Sequence, residues 1–396
     1  MKDFLYWTSL RIVRNRKIRV LSILFLTFFA SFSLLYRQQE LTFPYYEMRE
    51  EYQDEQQIYR LIPPQHFEGE LGHEVQQRLG SNSVSLGVQR YLLKEEDGNT
   101  FNELIDLPNY IEVGQQLAEN NLFLYEATDF GSYDLLVNEY LPPEDMIYEQ
   151  IRFFDALEES GLDIEWNYFS SAQILKEEMN FLTGVLLFLM LAILAGDHFT
   201  KDHQKHWSVT HGLPVSWKQT WRANSSILFL LFWAVVLVGS GISYLIGTIL
   251  DTSGSLHYPT ALYFEGGVQY IPMWQYLIIA LILSILLSYI LLLLTTGLSW
   301  FIRNSYLTIL LVSGLYLVPQ IWQIIPAFSS WQPSLYLNLN NVLNGTMASL
   351  TDLNGVVWWK AGLVYLLMIV ILEIVFNQVF SKIPTETTGL KRRVLT

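Results

Sequence analysis

The sequence contains no cysteine. That excludes disulfide staples, thiolate metal sites and cysteine nucleophiles, and it leaves the compartment open. Nucleotide-binding signatures are missing too. No G-x-x-x-x-G-K-S/T run occurs, so the chain has no phosphate-binding loop of this type. H-E-x-x-H, G-x-S-x-G and G-x-G-x-x-G are also absent, which removes the commonest zinc-protease, hydrolase and dinucleotide signatures. The last deficit is local: segments 251–275 and 327–359 contain neither lysine nor arginine.

Apolar sequence is abundant and comes in long blocks. About half of the 396 residues are hydrophobic. A helix crossing a bilayer needs roughly 20 consecutive, mainly apolar residues. Six blocks approach that length, at 20–36, 179–195, 227–250, 276–300, 306–325 and 361–380. An even number of spans puts both termini on one side. The block at 20–36 follows Arg11, Arg14, Arg16, Lys17 and Arg19, as a signal peptide would, but no small-x-small cleavage site precedes the polar part. It reads as a retained first span. Residues 4–17 read as an interfacial helix, with Trp7, Leu10 and Val13 near one face.

Charge divides by segment. The net charge of −14 conceals 30 acidic and 8 basic residues between Arg37 and Glu178, and 8 acidic and 16 basic residues elsewhere. Basic residues mark the cytoplasmic loops of membrane proteins. The N-terminus, the loop 196–226 (Lys201, Lys205, Lys218, Arg222), the turn at Arg303 and the tail (Lys382, Lys391, Arg392, Arg393) carry them. The expected orientation has both termini inside and 37–178, 251–275 and 327–359 outside.

The expected fold class is an α-helical polytopic membrane protein with six transmembrane helices and a small α+β extracellular domain between helices 1 and 2. Its segments are a cytoplasmic interfacial helix (1–19), the spans above, the domain (37–178), a cytoplasmic loop (196–226), outer loops (251–275 and 327–359, the latter with short helices) and a cytoplasmic tail (381–396). Within the domain, Pro142-Pro143-Glu144-Asp145 opens a helix that Gly161 closes. Ile147, Ile151, Phe154 and Leu157 share its apolar stripe. A second, weaker helix is expected at 110–120. Segments 84–93 and 121–125 read as strands, with Asp97-Gly98 as a turn. Segments 38–59 and 171–178 read as helical stalks.

Few residues suggest chemistry. Asp197, His198, Asp202, His203, His206 and His211 cluster in the inner loop, but their spacing fits no closed four-ligand zinc pattern. They read instead as one face of a cytoplasmic helix, and no metal is expected. Glu373 lies inside the sixth apolar block. A carboxylate at membrane depth either handles a substrate or ion, or pairs with a nearby Arg or Lys. Pro319 is placed to kink the fifth span and Pro326 to end it. Trp217, Trp221, Trp274, Trp300, Trp331, Trp358 and Trp359, among 12 tryptophans, fall near span ends and read as an interfacial belt.

The segment from Gly196 to Asn224, GDHFTKDHQKHWSVTHGLPVSWKQTWRAN, resembles the first cytoplasmic loop of type-2 ABC exporter permeases, with Gly212-Leu213-Pro214-Val215-Ser216 as the step before the third span. Trp331-Gln-Pro-Ser-Leu-Tyr336, followed by Asn340, Asn341 and Gly345, is similar to the last outer loop of that family. The basic interfacial helix is a third likeness. The long insertion after the first span resembles one subgroup, whose cargoes include ions, peptides and lipid-like molecules. The resemblance implies a permease subunit without its own nucleotide site. It would pair with a second permease copy or homologue and with an ABC ATPase subunit that binds ATP and Mg. Asp197, Lys201, His203, His206, Trp207, Gly212, Leu213 and Pro214 would then form the ATPase-coupling surface, with Glu373 as the pathway candidate. No cofactor in this chain and no nucleic-acid partner are expected. The expected location is the plasma membrane of a bacterium. A membrane sensor or mechanical transducer with a ligand-binding outer domain is the alternative from another class. An intramembrane enzyme is a third reading, but no paired catalytic residues occur within the spans.

Overall fold

The computed structural model describes residues 2–39, 44–92, 107–162, 164–165, 167–196, 217–302, 304–322 and 327–382. Expectations for the inner loop 197–216, the Asp97-Gly98 turn, Arg303, Pro326 and the tail beyond 382 fall outside those residues.

The order begins with helices α1 (Lys2–Arg14), α2 (Arg16–Ala30) and α3 (Phe32–Tyr36). Asn15 separates the first two and caps α2, its side chain accepting from the Lys17 amide at 3.0 Å. Then come α4 (Pro44–Leu61), α5 (Glu70–Leu92), α6 (Leu107–Glu126), α7 (Tyr133–Glu139) and α8 (Glu144–Ser160). The next run is α9 (Ser171–Phe181), a π turn at Leu182–Leu186 and α10 (Leu187–Ala195). After the inner loop follow α11 (Trp217–Leu250), strands β1 (Pro259–Phe264) and β2 (Gly267–Pro272), α12 (Met273–Ile302) and α13 (Ser305–Gly314). The short helices α14 (Val318–Ile321), α15 (Leu339–Leu343) and α16 (Thr346–Thr351) precede the last helix, α17 (Trp358–Lys382).

Among the described residues, four helical runs are long and apolar enough to cross a membrane: Ser171–Ala195, Lys218–Leu250, Met273–Ser299 and Trp358–Val379. Six were expected. The first expected span is divided at Ser31, between a 15-residue and a 5-residue helix. The fifth is a shorter apolar helix, Ser305–Ile321, which tightens to a 3-10 turn at Leu315–Leu317. Pro319 explains the tightening, because its ring crowds the carbonyl four residues back, at Leu315.

The segment 37–178 departs from the α+β expectation: its described residues form helices joined by turns, with no strand. Residues 84–92 belong to α5 and 121–125 to α6, not to strands. The sequence misleads here because α5 inverts the usual pattern. Its buried face carries Val75, Leu79, Asn82, Ser85, Leu86 and Gln89, while Val84 and Tyr91 are exposed. Buried polar residues at helical spacing hid the period. Buried Asn82 donates to Asn121 Oδ1 on α6 at 2.7 Å. The expected helix between Pro142 and Gly161 is present as α8; Gly161 closes it at φ +59°, and Ile147 and Leu157 are fully buried. The helix expected at 110–120 is part of α6, and 171–178 is helical as expected, within α9.

The two strands lie instead between α11 and α12, paired antiparallel from Pro259↔Pro272 to Phe264↔Gly267. This hairpin joins three segments. Arg152 on α8 donates to the Val268 carbonyl at 2.7 Å, and Phe153 packs on Tyr270. On its other side Lys360 pairs with Glu265 at 2.8 Å, and Phe264 meets Trp358 edge to face. One apolar cluster, Tyr110, Leu157, Ile164, Ala172, Tyr258 and Met273, runs from the helical domain to the start of α12. Segments 37–178, 251–275 and 327–359 therefore sit together at one end of the bundle.

The opposite end holds α1 and the facing ends of α10 and α11. Lys17 Nζ donates to the Ile193 carbonyl of α10 at 2.8 Å, and Arg11 Nη2 donates to Asn224 Oδ1 of α11 at 3.3 Å.

Candidate functional site

The residues expected to couple to an ATPase, Asp197, Lys201, His203, His206, Trp207, Gly212, Leu213 and Pro214, lie outside the described residues, as does the rest of the histidine cluster. Their anchors are described. Gly196 ends α10, whose Ile193 carbonyl is held by Lys17 of α2, and Trp217 opens α11, which packs against basic α1.

Glu373 is paired. Arg222 of α11 donates to its Oε2 from Nη2 at 2.7 Å and from Nε at 3.2 Å. The Tyr289 hydroxyl of α12 donates to Oε1 at 3.1 Å. Both carboxylate oxygens are satisfied, so Glu373 ties α17 to α11 and α12. Of its two readings, pairing describes these contacts. Both side chains are part exposed (47% for Arg222, 22% for Glu373), so the pair contributes only about 1 kcal/mol after solvent screening. Arg222→Glu should therefore lower the thermal midpoint slightly, and adding Glu373→Arg should restore it. A double-mutant cycle showing no coupling would remove the pair from the account.

Trp221 departs from the belt expectation. It is fully buried, its indole N–H donates to Thr296 Oγ1 at 2.9 Å, and its ring packs against Phe376. Trp274, Trp331 and Trp359 are exposed, as belt residues would be.

A second carboxylate, read from the sequence only as the edge of the outer domain, is more telling. Glu178 lies on α9, inside the first membrane-length run, and is 3% exposed. Ser240 Oγ of α11 donates to its Oε1 at 2.7 Å. Ser243, one turn further along α11, also faces the carboxylate. Oε2 has no hydrogen-bond partner among the described residues. Beside it lies a cavity of about 190 Å³, lined otherwise by Leu175, Met179, Leu182, Val236, Leu237 and neighbouring residues of α12. Immediately after Glu178 the helix opens into the π turn at Leu182–Leu186, where Gly184 has non-helical angles (φ −84°, ψ −147°). Such turns recur at functional sites. The available signal was Glu177-Glu178 directly abutting an apolar block, which periodicity alone divided between two segments.

The fold and these sites define a mostly helical chain with, among the described residues, four helices long and apolar enough to cross a membrane, bearing a helical domain and a short hairpin at one end. No family model matches it, and neither does any curated protein or solved structure.

Proposed function

We propose that this chain is the membrane-embedded permease subunit of an ATP-driven ABC exporter, without a nucleotide site of its own. It would work as a dimer with a second copy or a homologue, with ATP and Mg bound by a separate ATPase subunit. One observation carries the reading. The ends of α10 and α11 that flank 197–216 belong to two membrane-length runs and are held by Lys17 of α2 and Arg11 of α1, while the acidic domain packs at the other end. A loop so placed is where a soluble motor would push. The flanking runs, Ser171–Ala195 and Lys218–Leu250, are both of membrane length, so a displacement at this end would be carried along them to the far end.

On this reading the broken runs 16–36 and 305–322 also cross, making six spans. Both termini are then cytoplasmic in a bacterial plasma membrane, and 37–178 is extracellular. The charge split supports that orientation. The cargo class, whether peptide, lipid-like molecule or ion, follows from the likeness alone. The sensor or transducer alternative draws on the apolar cluster shared by the outer domain and the start of α12, which would pass a ligand-induced shift into the bundle.

The test is co-purification of this chain with a candidate ABC ATPase subunit. Leu213→Asp with Pro214→Asp should leave the permease folded, abolish capture of the ATPase, and return its hydrolysis rate to that of the isolated subunit. Undiminished capture and stimulation would sink the coupling role and favour the transducer.

A further inference from the structure

The break between α1 and α2 gathers cations that the bundle does not use. Arg11, Arg14, Arg16, Lys17 and Arg19 lie around it. Two are engaged: Arg11 donates to Asn224, and Lys17 to the Ile193 carbonyl. Arg14, Arg16 and Arg19 are exposed, and none has a hydrogen-bond or ion-pair partner among the described residues. Arg16, Lys17 and Arg19 fall in the opening turn of α2, whose first turn holds no acid. A helix N-terminus carries partial positive charge, so cations placed there raise a local potential that an anion relieves.

Arg16 and Arg19 also share a face. Residues three apart on a helix are neighbours on its surface. Val20, Ile23 and Thr27 continue that face at helical spacing, and all three are exposed, Val20 at 57% and Ile23 at 64%. The opposite face, with Ile18, Phe25 and Phe29, is buried. Helix α2 therefore presents two guanidiniums at the head of an uncovered, mainly apolar stripe about 10 Å long. On the other side of Asn15, α1 buries Thr8 and Ile12 and exposes Tyr6, Trp7 and Val13. Tyrosine and tryptophan favour the headgroup depth of a membrane. A free phosphate would engage the arginines and leave the stripe bare. An uncharged apolar chain would cover the stripe and leave the arginines unpaired. An anionic phospholipid does both.

We propose that Arg16 and Arg19, with Arg14 two residues before them, hold the phosphate of an anionic phospholipid from the leaflet on the α1 side, and that its acyl chain lies along Val20, Ile23 and Thr27. A guanidinium offers paired N–H donors that match phosphate oxygens. The inference rests on the proposed crossing of the membrane by 16–36 and not on ATPase coupling.

The experiment uses the full-length chain in phosphatidylcholine nanodiscs without any ATPase. Two photoreactive lipids with identical diazirine-bearing acyl chains are the probes, one a phosphatidylglycerol and one a phosphatidylcholine, and labelled residues are mapped by mass spectrometry. The phosphatidylglycerol probe is expected to label 20–27 about tenfold or more above the phosphatidylcholine probe, at roughly fivefold per arginine near an anionic headgroup. Arg16→Gln with Arg19→Gln should bring the first probe down to the level of the second and leave the second unchanged. Unlabelled phosphatidylglycerol should compete in the wild type, and excess inorganic phosphate should not; this arm decides alone if the double variant does not fold. A preference kept by the folded double variant overturns the site, and so does equal competition by inorganic phosphate. Equal labelling by the two probes overturns the site and leaves α2 facing lipid. No labelling by either overturns the crossing of 16–36 together with the site.

Discussion

Trp221→Ala is expected to destabilise the bundle by about 3–5 kcal/mol, the range for truncating a fully buried aromatic residue. Trp221 is the largest fully buried side chain among the described residues. It fills the junction of α11, α12 and α17 with Leu293 and Phe376. Within a membrane the transfer from water drops out and the cavity and lost dispersion contacts remain, so the lower end of that range applies. The hydrogen bond is secondary. Thr296 Oγ1 keeps its own bond to the Leu292 carbonyl and its contact with Ser225, so deleting the indole orphans little. Trp221→Phe should therefore recover much of the loss. Thermal unfolding in detergent, followed by tryptophan-independent far-UV signal, measures both. If Trp221→Ala unfolds within a degree of the wild type, this junction is not the packed core described.

Gly239→Leu is the second large effect, and it acts where α2 crosses α11. A Cβ at Gly239 would stand 2.5 Å from the Phe29 Cβ and 3.4 Å from the Ala30 amide and the Leu26 carbonyl. Those atoms belong to backbone or lie next to it, so a rotamer change cannot clear them. Small residues at helix crossings let backbones approach closely, and membrane bundles rely on that packing because lipid offers no hydrophobic drive between helices. The cost should reach or pass the upper end of the ~1–3 kcal/mol usual for overpacking. It should fall on one contact, releasing α2 while α12 and α17 stay packed. Cysteine crosslinking is clean in a chain with no native cysteine. A Ser33–Ser243 pair, about one turn past the crossing, should lose crosslinking when Gly239→Leu is added, and a Leu283–Gly362 pair should not. Equal loss at both would mean global unfolding and contradict the local account.

The comparison of sequence with structure turns on particular elements. The four membrane-length helices were legible because each is a single property, apolar length, repeated along the chain. Helix α8 was legible because proline, first-turn acids and a closing glycine are local signals. Helix α5 was not, because its inward face is Asn82, Ser85 and Gln89, whose burial depends on α6 lying opposite. Trp221 was misread for the same reason: proximity to a span end does not say which side of the helix faces its neighbours. Glu373 was flagged, yet its partner Arg222 lies 151 residues away in sequence.

By itself, then, the sequence determined the apolar blocks, the segregation of charge and the absence of a phosphate-binding loop, all of which are sums over neighbouring residues. The charge pattern already put segments 37–178, 251–275 and 327–359 on one side; tertiary structure alone decided that they pack around a hairpin. It also decided that Glu373 is satisfied and that Glu178 is buried with an oxygen to spare. The physical reason is common to these cases. Whether a polar atom is paired, and whether a face is buried, depends on what a distant segment brings to within about 3 Å, and no local pattern encodes that.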